Sequence, residues 1–284
     1  MKISGFTIIR QGVRFAYPFE ASIRSLLPLV DELVVGAGDG NDGTLQQIKA
    51  IKDAKLKVFQ STWDMSRREG GLVLSVETNK ALARCSGDWG VYLQADEVLH
   101  EDDLEILRAS MLRHADSGAE GLNFSYTHFY GSYQTIQNQR RKWYRRAVRA
   151  IRLGRGIESA GDAYGFRLNG RSLRRADSGA RVFHYGWSRP PGVMLDKQMN
   201  LDRMYHDEAW VRAQHAKAMA ARERFYEDRG FLEFFKGSHP SVMNAMVAAQ
   251  DWSFDHQIGR QWPAWMRSLY VLLIYPLVRK WAKP

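Results

Sequence analysis

One cysteine, Cys85, among 284 residues excludes an intramolecular disulfide and any multi-cysteine zinc site. It suits a reducing compartment. Long apolar runs are also missing. The stretch Tyr270–Val278, interrupted by Pro276, reaches about half of the roughly 18 residues that a membrane span needs. No secretory leader is expected, because Ile3–Ile9 is short and Arg10 and Arg14 follow it without a small-residue cleavage site. Repeats and low-complexity segments are lacking. What is present is a globular composition: 45% hydrophobic and 25% charged residues exclude global disorder. The length allows one or two domains with a sizeable core.

Acids are scarce in one place. Residues 140–181 hold 13 Lys/Arg against three acids, Glu158, Asp162 and Asp177. That surplus of ten equals the whole net charge of +10, and the other residues balance at 28 against 28. The segment reads either as a solvated face or as an electropositive wall facing a phosphate, a phosphorylated glycan or an anionic lipid. Arginine suits forked phosphate contacts better than lysine. Charge alone does not separate these ligands from nucleic acid. However, the chain shows no recognition-helix or zinc motif, so nucleic acid is not the expected partner.

The first half alternates short apolar strands with helical patterns. Strands are expected at Lys2–Ile9, Glu32–Val35, Lys55–Gln60 and Trp89–Leu93. Helices are expected at Phe19–Leu29, Thr44–Lys52, Leu72–Ala83 and Asp102–His114. This alternation predicts an α/β fold with a largely parallel sheet between helices. Ligands in such sheets bind past the carboxyl ends of the strands. Further on, Gly121–Tyr130 and Arg181–His184 read as strands, and Val193–Phe235 as one long helical stretch.

The loop after the fourth strand carries Gln94-Ala95-Asp96-Glu97. Carboxylates at a carboxyl edge suit Mg²⁺ or Mn²⁺, which take one or two carboxylates plus substrate phosphates. The same acids also suit the N-terminus of the following helix. Two further pieces lie upstream. Gly38-Asp-Gly-Asn-Asp-Gly-Thr44 is an acidic, glycine-rich turn after the second strand. Asn79, Ala81, Cys85 and Gly87 span the third helix and its exit.

Taken in order, these pieces resemble bacterial-type family 2 glycosyltransferases. That family shows an apolar first strand, a turn of the type Asp-Gly-Ser-x-Asp-Gly-Thr, Asn-x-Gly-x-x-x-Ala-x-Gly, and a strand ending in Asp-x-Asp. The resemblance is good over residues 2–100 and loose beyond. It implies a GT-A (Rossmann-like) domain over 1–190, with a nucleotide-binding half at 1–100 and an acceptor half at 101–190. A helical C-terminal region, 191–284, would follow. It implies transfer of a sugar from a nucleotide-sugar donor, UDP-sugar first, to a glycan or a lipid-linked, lipopolysaccharide-type acceptor, with inversion. Residues Ile8, Ile9 and Arg10 would line the nucleotide pocket, largely through backbone. Asp39 would accept hydrogen bonds from the base. Arg67, Asn79, Gln94 and Ala95 would border the nucleotide. Asp96 would hold the metal, Mn²⁺ or Mg²⁺, that binds the diphosphate. One departure is Gln94, which stands where the first acid of Asp-x-Asp usually sits. A neutral amide does not offset a cation, so Glu97 would have to compensate or metal binding would be weak.

An inverting transferase needs a carboxylate base for the acceptor hydroxyl. Asp162, in a glycine-flanked turn, is the first candidate and Glu158 the second; pairing with the surrounding arginines is the structural alternative. His184 is a candidate third metal ligand or phosphate contact, against a packed, hydrogen-bonded histidine. Glu97, Trp187, Arg145 and Arg149 are candidates for acceptor or phosphate contacts. The aromatic and basic tail, 261–284, suits a helix lying on an anionic membrane surface, or one docked on the protein's own core. The protein is thus expected in the cytoplasm, with peripheral attachment to the inner face of the membrane as an option. A competing class is a degenerate, non-catalytic nucleotide- or glycan-binding relative, which Gln94 keeps open.

Overall fold

The computed structural model describes residues 1–137, 143–220, 226 and 232–254. The first seven elements are β1 (Ile3–Ile9), α1 (Phe19–Leu26), β2 (Glu32–Gly38), α2 (Thr44–Ala50), β3 (Leu56–Ser61), α3 (Leu72–Leu82) and β4 (Trp89–Tyr92). Strands β2 and β4 lie beside β1, and β3 lies beside β2, all parallel. Every residue of β1 and of β4 is buried. Parallel strands covered on both faces need such unbroken apolar runs, which is why these strands show in the sequence.

The chain continues through β5 (Glu97–Leu99), α4 (Leu104–Arg113), β6 (Gly121–Tyr130), β7 (Thr135–Gln137) and β8 (Arg146–Arg152). Next come β9 (Ile157–Ala160), β10 (Gly165–Leu168), β11 (Arg171–Ser172) and β12 (Arg175–Trp187). The last elements are α5 (Pro191–Asp202), α6 (Glu208–Ala220), β13 (Leu232–Phe234) and α7 (Asn244–Ala248). The main sheet runs β13-β7-β6-β8-β4-β1-β2-β3, with β12 pairing both β5 and β6. Strand β8 is antiparallel to β4 and β6, so the second half of the sheet is mixed. Strands β9, β10 and β11 form a separate small sheet.

The core has two main layers. Ile23 and Leu26 of α1, Ile48 of α2, and Leu107 and Met111 of α4 pack on one face of the sheet. Val73 and Ala81 of α3, with Phe166 and Leu173 from the small sheet, cover the other. This is the expected α/β arrangement of a mostly parallel sheet between helices.

The basic segment departs from the expectations. The segment Arg146–Arg152 is β8, and its pairing with β6 slips by one residue between Leu122↔Ala150 and Asn123↔Val148, which leaves Arg149 at a β-bulge. Arg149 is fully buried there. Strand β12 is also much longer than Arg181–His184, because it is paired along its length by β6 and at its end by β5. The long helix expected over 193–235 is broken into α5 and α6. Asp207 starts the second helix, its carboxylate accepting from the Trp210 backbone N–H at 2.8 Å. Beyond, Leu232–Phe234 is a strand paired with β7. The tail 261–284, read as a membrane-interface helix, lies outside the described residues. Among the described residues no helix is long and apolar enough to cross a membrane.

Candidate functional site

A cavity of about 300 Å³ opens past the carboxyl ends of β1 and β4. Ile8 and Arg10 reach it from β1, and Gln94, Ala95 and Asp96 from the turn after β4. Asp162 lines one wall, and Lys197, Asn200 and Leu201 of α5 line another. Strand ends therefore supply one side, and the C-terminal helical region supplies the other.

Asp39 does not line the cavity but braces two residues that do, Arg10 and Trp63. Its carboxylate accepts from the Trp63 backbone N–H at 2.9 Å and from Arg10 Nε at 3.3 Å. Burial opposes ionisation, but these donors outweigh it and hold the Asp39 carboxyl below its ordinary range. The Arg10 guanidinium also lies over the Trp63 ring, 5.5 Å from its centre. Asp39 and Arg10 thus fix one another, and Trp63 forms part of the wall.

Asp96 is buried at the floor. Pairing of β5 with β12 puts His184 opposite Glu97, and the Tyr185 backbone N–H donates to the Asp96 carbonyl at 2.8 Å. Lys197 Nζ donates to Asp96 Oδ2 at 3.0 Å and to the Gly186 carbonyl at 2.8 Å. Arg189 Nη2 lies 3.8 Å from Asp96 Oδ2, and His184 Nε2 lies 3.8 Å from Oδ1. Burial disfavours the Asp96 charge, yet Lys197 and Arg189 hold its carboxyl well below the ordinary range. Burial pushes the Lys197 ammonium down to about 8, with Asp96 opposing. Both partners of Lys197 Nζ, the Asp96 carboxylate and the Gly186 carbonyl, are acceptors, as an ammonium requires. Gly186 is required for this packing, since a Cβ there would stand 2.4 Å from His184 Nε2.

A histidine pair sets the protons beside Asp96. His128 Nε2 lies 2.6 Å from the Tyr144 carbonyl, which only accepts. His128 therefore carries its proton on Nε2 and offers the Nδ1 lone pair. His184 Nδ1, 2.8 Å away, must donate to it. His184 Nε2 is left with a lone pair on the Asp96 side. Burial keeps both rings neutral, lowering His128 to about 3 and His184 to about 4.

The other sequence-derived candidates divide sharply. Asp162 is exposed on the cavity wall, accepting from the Tyr164 backbone N–H at 3.2 Å and the Tyr205 hydroxyl at 3.4 Å. Glu158 is exposed on β9 and does not line this cavity. Ile9 is buried in the core, so only its backbone is near the site. Arg67 is exposed beside Asp64 and away from the cavity lining. Asn79 does not face the cavity either, because its amide is spent on Ser159, donating to the carbonyl at 3.0 Å and accepting from the N–H at 2.8 Å. Trp187 packs on Tyr130 and Trp143. Arg145 is exposed and borders a separate, smaller hollow with Tyr126 and His128.

Glu97 and Arg149 depart furthest from the expectation. Both are fully buried, joined by two hydrogen bonds of 2.7 and 2.8 Å, and Tyr126 also donates to Glu97 at 2.8 Å. Neither has surface left for an acceptor or a metal. The pair clamps the site instead. Glu97 accepts from the Gln94 backbone N–H at 3.1 Å, and Arg149 donates to the Tyr164 carbonyl at 2.9 Å, two residues from Asp162.

These contacts bear on the expected divalent ion. Gln94 brings no charge, Glu97 is consumed, and one Asp96 oxygen already holds an ammonium. Among the described residues no group of three His, Cys, Asp or Glu side chains stands ready for a metal. The donor set thus fits a divalent ion poorly. Sequence reasoning missed Lys197 and Arg189. Their only signal was the place of Arg189 in the Pro-Pro turn after His184; Lys197 looks like any lysine on an amphipathic helix.

The model of the family described as glycosyl transferase family 2 matches residues 19–174, more than half of the chain. No curated protein matches the chain. Among solved structures, TarS of S. aureus is similar over 81% of this chain and 45% of its own, at 15% identity and a TM-score of 0.40. This chain therefore spans less than half the length of that protein. TarS 1–349 in complex with UDP is similar over 81% and 74%, at 15% identity and a TM-score of 0.37. The complex with UDP-GlcNAc covers 81% and 75%, at 16% identity and a TM-score of 0.39.

Proposed function

We propose, from the premise that this chain belongs to glycosyl transferase family 2, that its cavity binds a nucleoside-diphosphate sugar and passes the sugar to an acceptor hydroxyl. A UDP-sugar is the first candidate donor, and a glycan or lipid-linked glycan the candidate acceptor. The observation that carries this reading is the juxtaposition in one cavity of Arg10, Gln94 and Asp96 at strand ends with Asp162 on the facing wall. The nucleoside would lie along Ile8, Arg10 and the Asp39–Trp63 contact. The diphosphate would reach the floor at Asp96. Asp162 would then take the proton of the acceptor hydroxyl as it attacks the anomeric carbon from the side opposite the leaving diphosphate, giving inversion. Asp162 is exposed, so an acceptor approaching from solvent meets it before the donor. Its neighbour Tyr205 donates to it and would hold its orientation.

The test is donor turnover. Incubation with UDP-, GDP-, CDP- and dTDP-sugars should release one nucleoside diphosphate slowly by hydrolysis in the absence of acceptor. Asp96→Ala should abolish that release. A wild-type protein that binds nucleotide but turns over none of these donors, alone or with glycan acceptors, would support a binding protein without catalysis instead.

A further inference from the structure

The charge around Asp96 is already more than balanced by the protein itself. One carboxylate faces two basic groups, Lys197 at 3.0 Å and Arg189 at 3.8 Å. A buried carboxylate needs one counter-charge, so one positive charge is in excess. Such an excess in a low-dielectric pocket favours an anion and disfavours a further cation. Bringing a divalent ion to Asp96 would either displace the ammonium or raise the local positive charge again.

Lys197 is also built to meet a ligand. An ammonium has three N–H groups. Two are spent, on Asp96 Oδ2 and on the Gly186 carbonyl, and both hold Nζ at the cavity floor. The third makes no hydrogen bond among the described residues, and Nζ lies 5.1 Å from the centre of the Tyr17 ring, with both side chains lining the cavity. The Gly186 carbonyl also accepts from Arg189 Nη1 at 2.6 Å, so one backbone oxygen ties both cations together. Arg189 Nη2 is buried and makes no hydrogen bond among the described residues, and it faces Asp96 Oδ2 from 3.8 Å behind the cavity floor.

We propose that Lys197, backed by Arg189, takes the place of a divalent cation in neutralising the donor diphosphate, so that this protein binds nucleoside diphosphates without metal. The inference rests on the donor-binding reading above. Asp96 then acts as the anchor that orients the ammonium. As the donor bond breaks, the negative charge that grows on the departing diphosphate is met by this fixed cation.

The experiment is titration of the wild-type chain with UDP, GDP, CDP and dTDP, each in EDTA and in Mn²⁺. Whichever nucleotide binds should do so with affinities within about threefold in the two buffers, a difference smaller than one charged hydrogen bond. Lys197→Met should lose about tenfold or more for the diphosphate while leaving affinity for the parent nucleoside unchanged. Lys197→Arg should keep most of the diphosphate affinity in EDTA. Intact nucleoside binding reports that the pocket is folded. Binding that appears only with Mn²⁺ would overturn the inference and leave the donor site standing. Equal loss of nucleoside and diphosphate affinity in a Lys197→Met protein that melts like wild type would also overturn it. No binding of any of the four in either buffer would overturn both the inference and the donor-binding reading.

Discussion

In the parallel part of the sheet, residues 3–92, and the turn that follows it, polar side chains at strand ends point into a cavity; in residues 143–187 one arginine is buried and several of the exposed ones pair with acids on the surface. Arg10, Gln94 and Asp96 line the pocket. By contrast, Arg149 is buried on Glu97, Arg171 and Arg174 pair with Glu120, Arg181 with Asp103, and Arg146 with Asp177. Three of the four acids come from outside the basic segment. Part of the surplus that dominates the sequence is thus spent on joining distant parts of the chain. The ligand charges come from residues that composition hides. A linear charge count finds where positive residues are, and the fold decides which of them meet a ligand.

The largest effect that would break this comparison is on stability. Arg149→Ala leaves Glu97 buried without a counter-charge and should cost about 3–5 kcal/mol in denaturant melts. A loss under about 1 kcal/mol would mean that the pair does not hold the acidic turn. Next comes Asp162→Asn, which should lower sugar transfer about 10²-fold or more while leaving donor affinity unchanged. Equal activity would remove its role as base, and Glu158→Gln is expected to be near neutral. The His128–His184 pair, where β6 meets β12, predicts a smaller, pH-dependent term. Burial lowers these rings to about 3 and about 4, so below about 6.5 the unfolded chain binds more protons than the folded one. Stability from each is complete above about 6.5. It should be lost at up to about 1.4 kcal/mol per pH unit as the pH falls toward those values. Urea melts between about pH 7 and about pH 5 check this, and His128→Gln should flatten the slope. The smallest effect belongs to the exposed Arg145→Ala, within about 0.5 kcal/mol of wild type and with unchanged donor affinity. A marked loss of donor affinity there would return a ligand role to the basic segment.

The parts that were legible in the sequence share one property: their physical cause is local. Strands β1, β2 and β4 are short apolar runs because both faces are covered. The turn Gly38–Thr44 and the acidic Gln94–Glu97 sit where the chain leaves those strands. The parts that were not legible have causes far away in sequence. Arg149 is internal because the β5 strand brings the buried Glu97 carboxylate to it, a pairing 52 positions apart in sequence. Asn79 faces Ser159 because β9 packs against α3, which motif spacing does not report. Lys197 stands about a hundred positions from Asp96, and only the β5–β12 pairing and the seat of α5 bring them together. The break after α5 was written in Asp207, a helix-start residue inside a stretch with helical apolar spacing.

The account is tested most directly by a crystal structure of the chain with the nucleoside diphosphate that binds it. The diphosphate is predicted at the cavity floor, within hydrogen-bond distance of Lys197 Nζ, with the base beside Arg10 and Trp63. A diphosphate seated on the exposed arginines of residues 143–187, with the Asp96 cavity empty, would contradict it.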